Sequence, residues 1–421
     1  MTSSNGASAP KREFDLVLFG ATGFTGRLVA EILVQKQTAR PLTRPLTRPL
    51  NWALAGRSRQ KLERVRSDLA RLAPAAADLP LIVGDSLDAA SVDALVKRAR
   101  VVCTTVGPYV RYGRALVAAC AENGAHYCDL TGETPFVRAA IDAHHARAVA
   151  TGARIVPCCG FDSIPSDLGV LMIHDHFTRR GKQLAEAHFR VKRMKGGASG
   201  GTIASMMGIL ESAKDPAVRR VLFDPYALSP EGARRGPDEL DQNGPRRDAE
   251  SGRYTGPFVM AAINTRIVRR SNALLGYAYG EGFRYDEAVD TGTGALGFLR
   301  AAGLSAGVGA LMATGMLAPG RALLTRMLPA PGEGPSREER EAGSFRIEIH
   351  ARSTDGERVT GVVEARRDPG YGATSIMLTE AALSLAEDDL PARGGVLTTA
   401  ACMGMKLVER LRAAGLTFEI A

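Results

Sequence analysis

The stretch FDLVLFGATGFTGRL, residues 14–28, ends an apolar run at Gly20 and sets two more glycines at Gly23 and Gly26. The run reads as a short buried strand, and RLVAEILVQKQ after it carries apolar residues at helical spacing. Three glycines between a strand and a helix have a physical purpose. A glycine at the strand end allows a tight turn, and a missing Cβ lets backbone N–H groups approach a pyrophosphate. The helix N-terminus adds its positive dipole end. In a chain with 46 glycines the spacing alone is a weak signal, so its place at the first strand-to-helix turn carries the reading. Gly20, Thr22, Gly23, Phe24, Thr25 and Gly26 are therefore candidate cofactor-binding residues.

The same alternation continues outward. NWALAGR, LPLIVGD, RVVCTTVGP, HYCDLTGE and ARIVPCCGFD read as strands with helices between them, which predicts a Rossmann-type doubly wound parallel sheet in an α/β fold. Beyond about Asp167 the pattern changes. AHFRVKRMKG, FRIEIHARST and RVTGVVEARRD alternate like half-buried antiparallel strands, which predicts a second α+β domain with a mixed or antiparallel sheet. The expected division is a disordered leader over 1–12, a nucleotide-binding domain over 13–165 and a second domain for substrate or dimerisation over 166–375. A helical segment over 376–421 is expected to pack back on the first domain. The repeat Arg40-Pro-Leu-Thr-Arg44-Pro-Leu-Thr-Arg48-Pro-Leu has proline every fourth residue and reads as an extended surface loop.

The end of the second strand chooses the cofactor. A domain that prefers NAD normally places Asp or Glu there for the ribose 2′-OH. Here the chain reads Ala55-Gly56-Arg57-Ser58-Arg59-Gln60-Lys61, with no carboxylate until Glu63. Arg57 can pair with a 2′-phosphate and Ser58 can donate to it, which favours NADPH. Arg59 and Lys61 read as a solvated helix start. Asp85 ends the third strand and is a candidate for the adenine. Thr105, Gly107 and Pro108 end the fourth, where the nicotinamide ribose passes. Strand-end turn chemistry explains these residues equally well.

Composition excludes several classes. The net charge of +9 comes with 45 arginines among 54 basic residues, scattered without aromatic interleaving, so no nucleic-acid surface is expected. Six cysteines without a C-x-x-C pair fit a reduced, cytoplasmic protein with buried thiols and no metal site. Ala301 to Gly320 carries no acidic residue and is long enough to suggest a membrane span, yet it is mostly Ala and Gly. Gly303 and Gly307 have the small-xxx-small spacing of close helix packing, which favours a buried or dimer-interface helix over peripheral lipid contact.

GATGFTG, AGRSRQKL, TTVGPYVRYG, DLTGE and GFDSIPSDLG occur in this order, and INTRIVRRSNAL and GGVLTTAACMG follow. Together they make the chain resemble the saccharopine dehydrogenase-like oxidoreductases over nearly its whole length. The resemblance is strongest to their trans-acting enoyl reductase branch, which works with polyketide synthases on long-chain waxy lipids. It departs at Thr399, where the family has proline. The resemblance implies reduction by NADPH of a carbon–carbon double bond in an acyl or polyketide chain carried by a synthase. Two other readings stay open: an amino-acid oxidoreductase of the saccharopine type, and an NADPH-binding scaffold at a lipid surface without turnover.

Enoyl reduction needs a hydride for the β-carbon, a donor to the thioester carbonyl and a proton for the α-carbon. No Tyr has a Lys four residues on, which disfavours the short-chain dehydrogenase arrangement. The candidate catalytic residues are Tyr109 and Tyr112 after strand four, each equally readable as a packing lid. Asp162 and Ser163 sit at a later strand-to-helix junction, where capping of the next helix is the competing reading. Glu133 has the same double reading. The Gly-rich stretch Gly196 to Thr202 fits either the approach of an acyl-pantetheine arm or a flexible turn.

Overall fold

The computed structural model describes residues 12–38, 48–196, 200–248, 251–317, 320 and 334–421. Most of the leader, most of the proline repeat and residues 197–199 of the second Gly-rich stretch lie outside the described residues.

Seven parallel strands form the first sheet. They are β1 (Phe14–Phe19), β2 (Trp52–Gly56), β3 (Leu81–Val83), β4 (Ala99–Thr104), β5 (His126–Cys128), β6 (Arg154–Val156) and β13 (Gly395–Val396). Their order is β13-β6-β5-β4-β1-β2-β3, so the winding reverses between β4 and β1. At such a reversal the carboxyl ends of the two strands leave a crevice for a ligand. The strands read as continuous apolar runs because helices cover both faces. Helices Phe24–Lys36 and Arg59–Leu72 bury Val29, Leu33, Leu62 and Val65 on one face. Helices Ala89–Arg98, Arg114–Asn123 and Thr134–Thr151 bury Val92, Leu116 and Phe136 on the other.

The second sheet also has seven strands. It contains β7 (Leu184–Lys195), β8 (Arg246–Arg247), β9 (Tyr254–Pro257), β10 (Arg284–Gly292), β11 (Ser344–Ser353), β12 (Arg358–Ala365) and β14 (Thr417–Ile420), in the order β14-β12-β11-β7-β10-β9-β8. It is mixed, because β7 and β10 run parallel while the other pairs are antiparallel. Strict alternation along β11 turns Phe345, Ile347 and Ile349 inward and Arg346, Glu348 and His350 outward. The inward set joins one core with the first sheet, through helices Ile164–Thr178 and Thr374–Glu387.

The tail departs from its helical expectation. Besides helices Thr374–Glu387 and Gly404–Ala413 it supplies β13 to the first sheet and β14 to the second. Strands of two and four residues are too short to show alternation in sequence. Thr399 occupies the first turn of a short helix capped by the Thr398 hydroxyl, and its own hydroxyl donates to Asp167 Oδ2 at 2.7 Å. A proline suits that position because a first-turn N–H needs no intrahelical partner, so either residue is accommodated.

For the apolar segment 301–320 the buried alternative is corrected. It belongs to a helix, Gly294–Met316, with an 11% buried apolar window, and among the described residues a Cβ at Gly303 or Gly307 would meet nothing within 4 Å. Ala301 and Gly315 are buried, but the Gly303 and Gly307 side is not packed into the core. Residues 318 and 319 lie outside the described residues.

Candidate functional site

The three glycines of the first turn differ in what they do. Gly20 has φ +96°, in the left-handed region, and a Cβ there would stand 2.7 Å from Thr105 Oγ1. A Cβ on Gly26 would lie 2.2 Å from the Gly20 carbonyl oxygen, so the helix can reach the strand end only without one. Gly23 is the N-cap of helix Phe24–Lys36, and no side chain caps it. The first-turn N–H groups are therefore open to an anion. Thr105 Oγ1 donates to the Gly20 carbonyl at 3.2 Å and pins the turn from the end of β4.

At the end of β2, Arg57 is exposed, and among the described residues nothing bonds its guanidinium. Arg59 is occupied by Glu63 at 3.0 Å. The Ser58 hydroxyl accepts from Lys61 N at 3.3 Å as the cap of helix Arg59–Leu72, which leaves its proton to donate. Thr22 faces this corner, its Oγ1 lying 3.7 Å from where a Gly56 Cβ would be. These residues fit NADPH: an uncapped helix end behind two obligatory glycines for the pyrophosphate, and an unspent arginine for the extra phosphate.

Other expected cofactor contacts are placed differently. The Phe24 ring is edge-on to Tyr371 with centroids 5.1 Å apart, and beneath the Arg340 guanidinium at 5.4 Å. Asp85 spends Oδ1 on Leu87 N at 3.0 Å, which is turn chemistry. Gly107 and Pro108 lead from β4 into the short helix Tyr109–Tyr112.

The loops after β4, β5 and β6 meet at the carboxyl edge. Glu133 is buried, and its carboxylate accepts Tyr109 N at 2.9 Å, Val110 N at 2.7 Å and the Ser205 hydroxyl at 2.7 Å. It ties the β4 and β5 loops to helix Gly200–Ser212. Asp129 is fully buried and accepts the Tyr127 hydroxyl at 2.6 Å and the N–H groups of Thr131 and Cys158 at 3.0 Å each. Burial pushes its carboxyl up to about 6 against those donors. Cys158 holds φ +63°, a strained conformation for a side-chain-bearing residue, and sits just past the end of β6.

Asp162 stands apart from these anchors. It is half-buried beside Gly132 and Met260, its Cγ 3.7 Å from where a Gly132 Cβ would be. Among the described residues no donor reaches its carboxylate. Burial first, and then the charge of Asp129, push it up to about 7. The expected capping role is absent, since no side chain caps helix Ile164–Thr178.

Two catalytic expectations are corrected. Tyr109 is 3% exposed, packs on Phe136 and donates its hydroxyl to the Thr104 carbonyl at 3.3 Å, so it faces the core and not a substrate. Ser163 is wholly buried and donates to Asn264 Oδ1 at 3.2 Å. Asn264 in turn donates to Glu287 Oε2 at 3.0 Å, and Tyr285 to Glu287 Oε1 at 2.8 Å. Burial pushes Glu287 up to about 7. Tyr112 is half-buried, and its hydroxyl has no hydrogen bond among the described residues.

Sequence reasoning missed Asp129, Asn264 and Glu287 as organisers of this edge. DLTGE and INTRIVRRSNAL contain the first two, and a carboxylate or amide inside an apolar run is the signal that marks them. Gly196 packs against Asp368, where a Cβ would lie 2.1 Å from Oδ1, so its close approach is to its own chain.

Residues 16–156 match the family model described as the saccharopine dehydrogenase NADP binding domain. A Mycobacterium tuberculosis (strain H37Rv) protein, provisionally named a trans-acting enoyl reductase, is 45% identical over 428 residues, 98% of each chain. The protein named trans-acting enoyl reductase in Mycobacterium ulcerans is 40% identical, over 97% of this chain and 98% of its own. Among solved structures, the L-Glu-forming saccharopine dehydrogenase of Saccharomyces cerevisiae superposes with a TM-score of 0.50 at 12% identity, covering 96% of this chain and 99% of its own. That likeness is one of fold alone.

Proposed function

The chain belongs to the trans-acting enoyl reductase family of saccharopine dehydrogenase-like proteins, and from that premise we propose that it reduces a carbon–carbon double bond in an acyl chain with Asp162 as the proton donor. The observation that carries the reading is the unpartnered Asp162 carboxyl at the carboxyl edge of the first sheet, held up to about 7. NADPH supplies the hydride for the β-carbon when bound. The Asp162 carboxyl delivers its proton to the α-carbon and is left as a carboxylate, which solvent reprotonates. A neutral acid of this kind is the form that protonates carbon near neutral pH. Tyr112, whose hydroxyl is unspent, donates to the thioester carbonyl as charge develops there. Asp129 and Glu133 shape the loops and take no part in proton transfer, because their oxygens are already occupied.

Gly20, Thr22, Gly23, Thr25 and Gly26 hold the pyrophosphate side, and Arg57 with Ser58 selects the 2′-phosphate. The acyl chain arrives on a synthase partner, in the cytoplasm, and a lipid surface and a second copy of the chain are further partners in this reading.

The test is NADPH consumption with an enoyl thioester, with lysine plus 2-oxoglutarate, and with neither. Oxidation with the enoyl thioester alone is the expected result. Oxidation with lysine plus 2-oxoglutarate would assign an amino-acid oxidoreductase instead. NADPH binding without turnover across the panel would make the chain a scaffold.

A further inference from the structure

Helix Gly294–Met316 carries a single charge, Arg300, and is apolar on every side. A helix apolar all round belongs in a core or in lipid. Within this chain one stripe is covered. Gly297, Ala301 and Gly315 are buried, Leu304 packs toward Gly256 and Leu210 toward Gly315. The side that carries Leu296 and Leu299 is open: they are 59% and 63% exposed, and among the described residues a Cβ on Gly303 or Gly307 would meet nothing within 4 Å.

Charge and area indicate what covers it. The only charged side chain on the helix is Arg300, which is exposed, and the helix carries no Asp or Glu. That is the complement of an anionic surface. A second copy is the weaker occupant. The centre of the exposed face is Gly and Ala, and one crossing of helices about 34 Å long offers too little side-chain area for the ~1,200 Å² of a stable interface.

The helix is long enough to cross a bilayer, but its packing holds it flat against the protein. Phe298 meets the Tyr254 ring of β9 at 5.6 Å, Leu304 lies on Gly256, and Gly315 takes Leu210 of helix Gly200–Ser212. We propose that this face seats in the interfacial plane of an anionic bilayer, with Leu296 and Leu299 among the acyl chains and Arg300 at the headgroups. Helix Gly200–Ser212 continues from that plane to the reduction site, where Ser205 bonds Glu133. A long acyl chain is thereby presented where it is used. The proposal rests on the enoyl reductase reading only for what the bilayer delivers.

The experiment is flotation of the full chain with phosphatidylglycerol vesicles and with phosphatidylcholine vesicles, alongside its solution mass. The expected result is binding to phosphatidylglycerol about tenfold stronger than to phosphatidylcholine and weakened by salt. The double variant Leu296→Asp/Leu299→Asp loses it, with unchanged melting temperature and unchanged NADPH oxidation on a water-soluble enoyl thioester. Leu299→Asp alone reads the same face should the double variant melt early. No flotation with phosphatidylglycerol, or equal flotation of folded variants, overturns the proposal. So does a dimer that Gly303→Leu dissociates while the wild type stays off both vesicles. Loss of turnover with flotation intact strikes the enoyl reductase reading and leaves this one standing.

Discussion

The two sheets each carry a polar region, and the regions are opposites. The outer face of the second sheet encloses a cavity of about 460 Å³ lined by Glu186, His188, Arg190, Lys192, Arg253 and Asp290, among others. It is densely charged, and its charges are spent. Arg190 holds Asp286 at 2.5 Å, Lys192 and Arg253 share Asp290 at 2.5 and 2.6 Å, and Arg352 holds Glu186 at 2.7 Å. At the carboxyl edge of the first sheet, by contrast, Arg57 and Asp162 have no hydrogen bond or ion pair among the described residues. Paired charges stiffen a surface, whereas a group held without its partner has chemistry left to do. A charged hollow is therefore a poorer guide to this molecule than the state of the groups around it.

The sharpest way to break that contrast is substitution on each side. Asp162→Asn should lower kcat with an enoyl thioester by about 10²–10⁴ while leaving NADPH affinity unchanged, read by steady-state kinetics and by quenching of NADPH fluorescence. Next in size, Arg57→Ala should weaken NADPH binding by about 10–100-fold and NADH binding hardly at all, since a charge-assisted bond to phosphate contributes about 1.5–3 kcal/mol. Calorimetric titration with both cofactors checks this, and an equal loss for the two would remove Arg57 from the 2′-phosphate.

A smaller effect concerns stability. Burial holds Asp129 and Asp167 up to about 6, and Asp162 and Glu287 up to about 7, all above their unfolded values. Groups raised in this way contribute stability that is full below about pH 4 and is lost as pH rises through 6 to 7. The melting temperature should therefore fall between about pH 4 and pH 7, and fall less in Asp162→Asn. The smallest effect belongs to the second sheet. Lys192→Met should leave turnover unchanged and cost no more than about 1 kcal/mol in denaturant unfolding, because Asp290 keeps Arg253. A large loss of activity there would put chemistry in the cavity and erase the contrast.

How far the sequence was legible follows the same division. The glycine turn, the strand alternation and Arg57 were readable because periodicity and backbone demands are local. β13 and β14 were not, since strands of two and four residues exist only by pairing with partners far along the chain. At the carboxyl edge the sequence offered Tyr109, Tyr112, Asp162 and Ser163 on similar terms. Tertiary packing separates them by turning Tyr109 into the core and occupying Ser163 with Asn264. The small-residue spacing of Gly303 and Gly307 suggested close packing, and among the described residues no neighbour lies within 4 Å of a Cβ at either.

The central claim is that Asp162 gives up a proton in the reduction. The most direct measurement is the pH dependence of single-turnover NADPH oxidation on an enoyl thioester, in the wild type and in Asp162→Asn. A wild-type rate that is level in mild acid and falls about tenfold per pH unit above about 7, with a slow and flat profile for the variant, is the predicted result. The same alkaline fall in both proteins, or an undiminished rate in the variant, would contradict it.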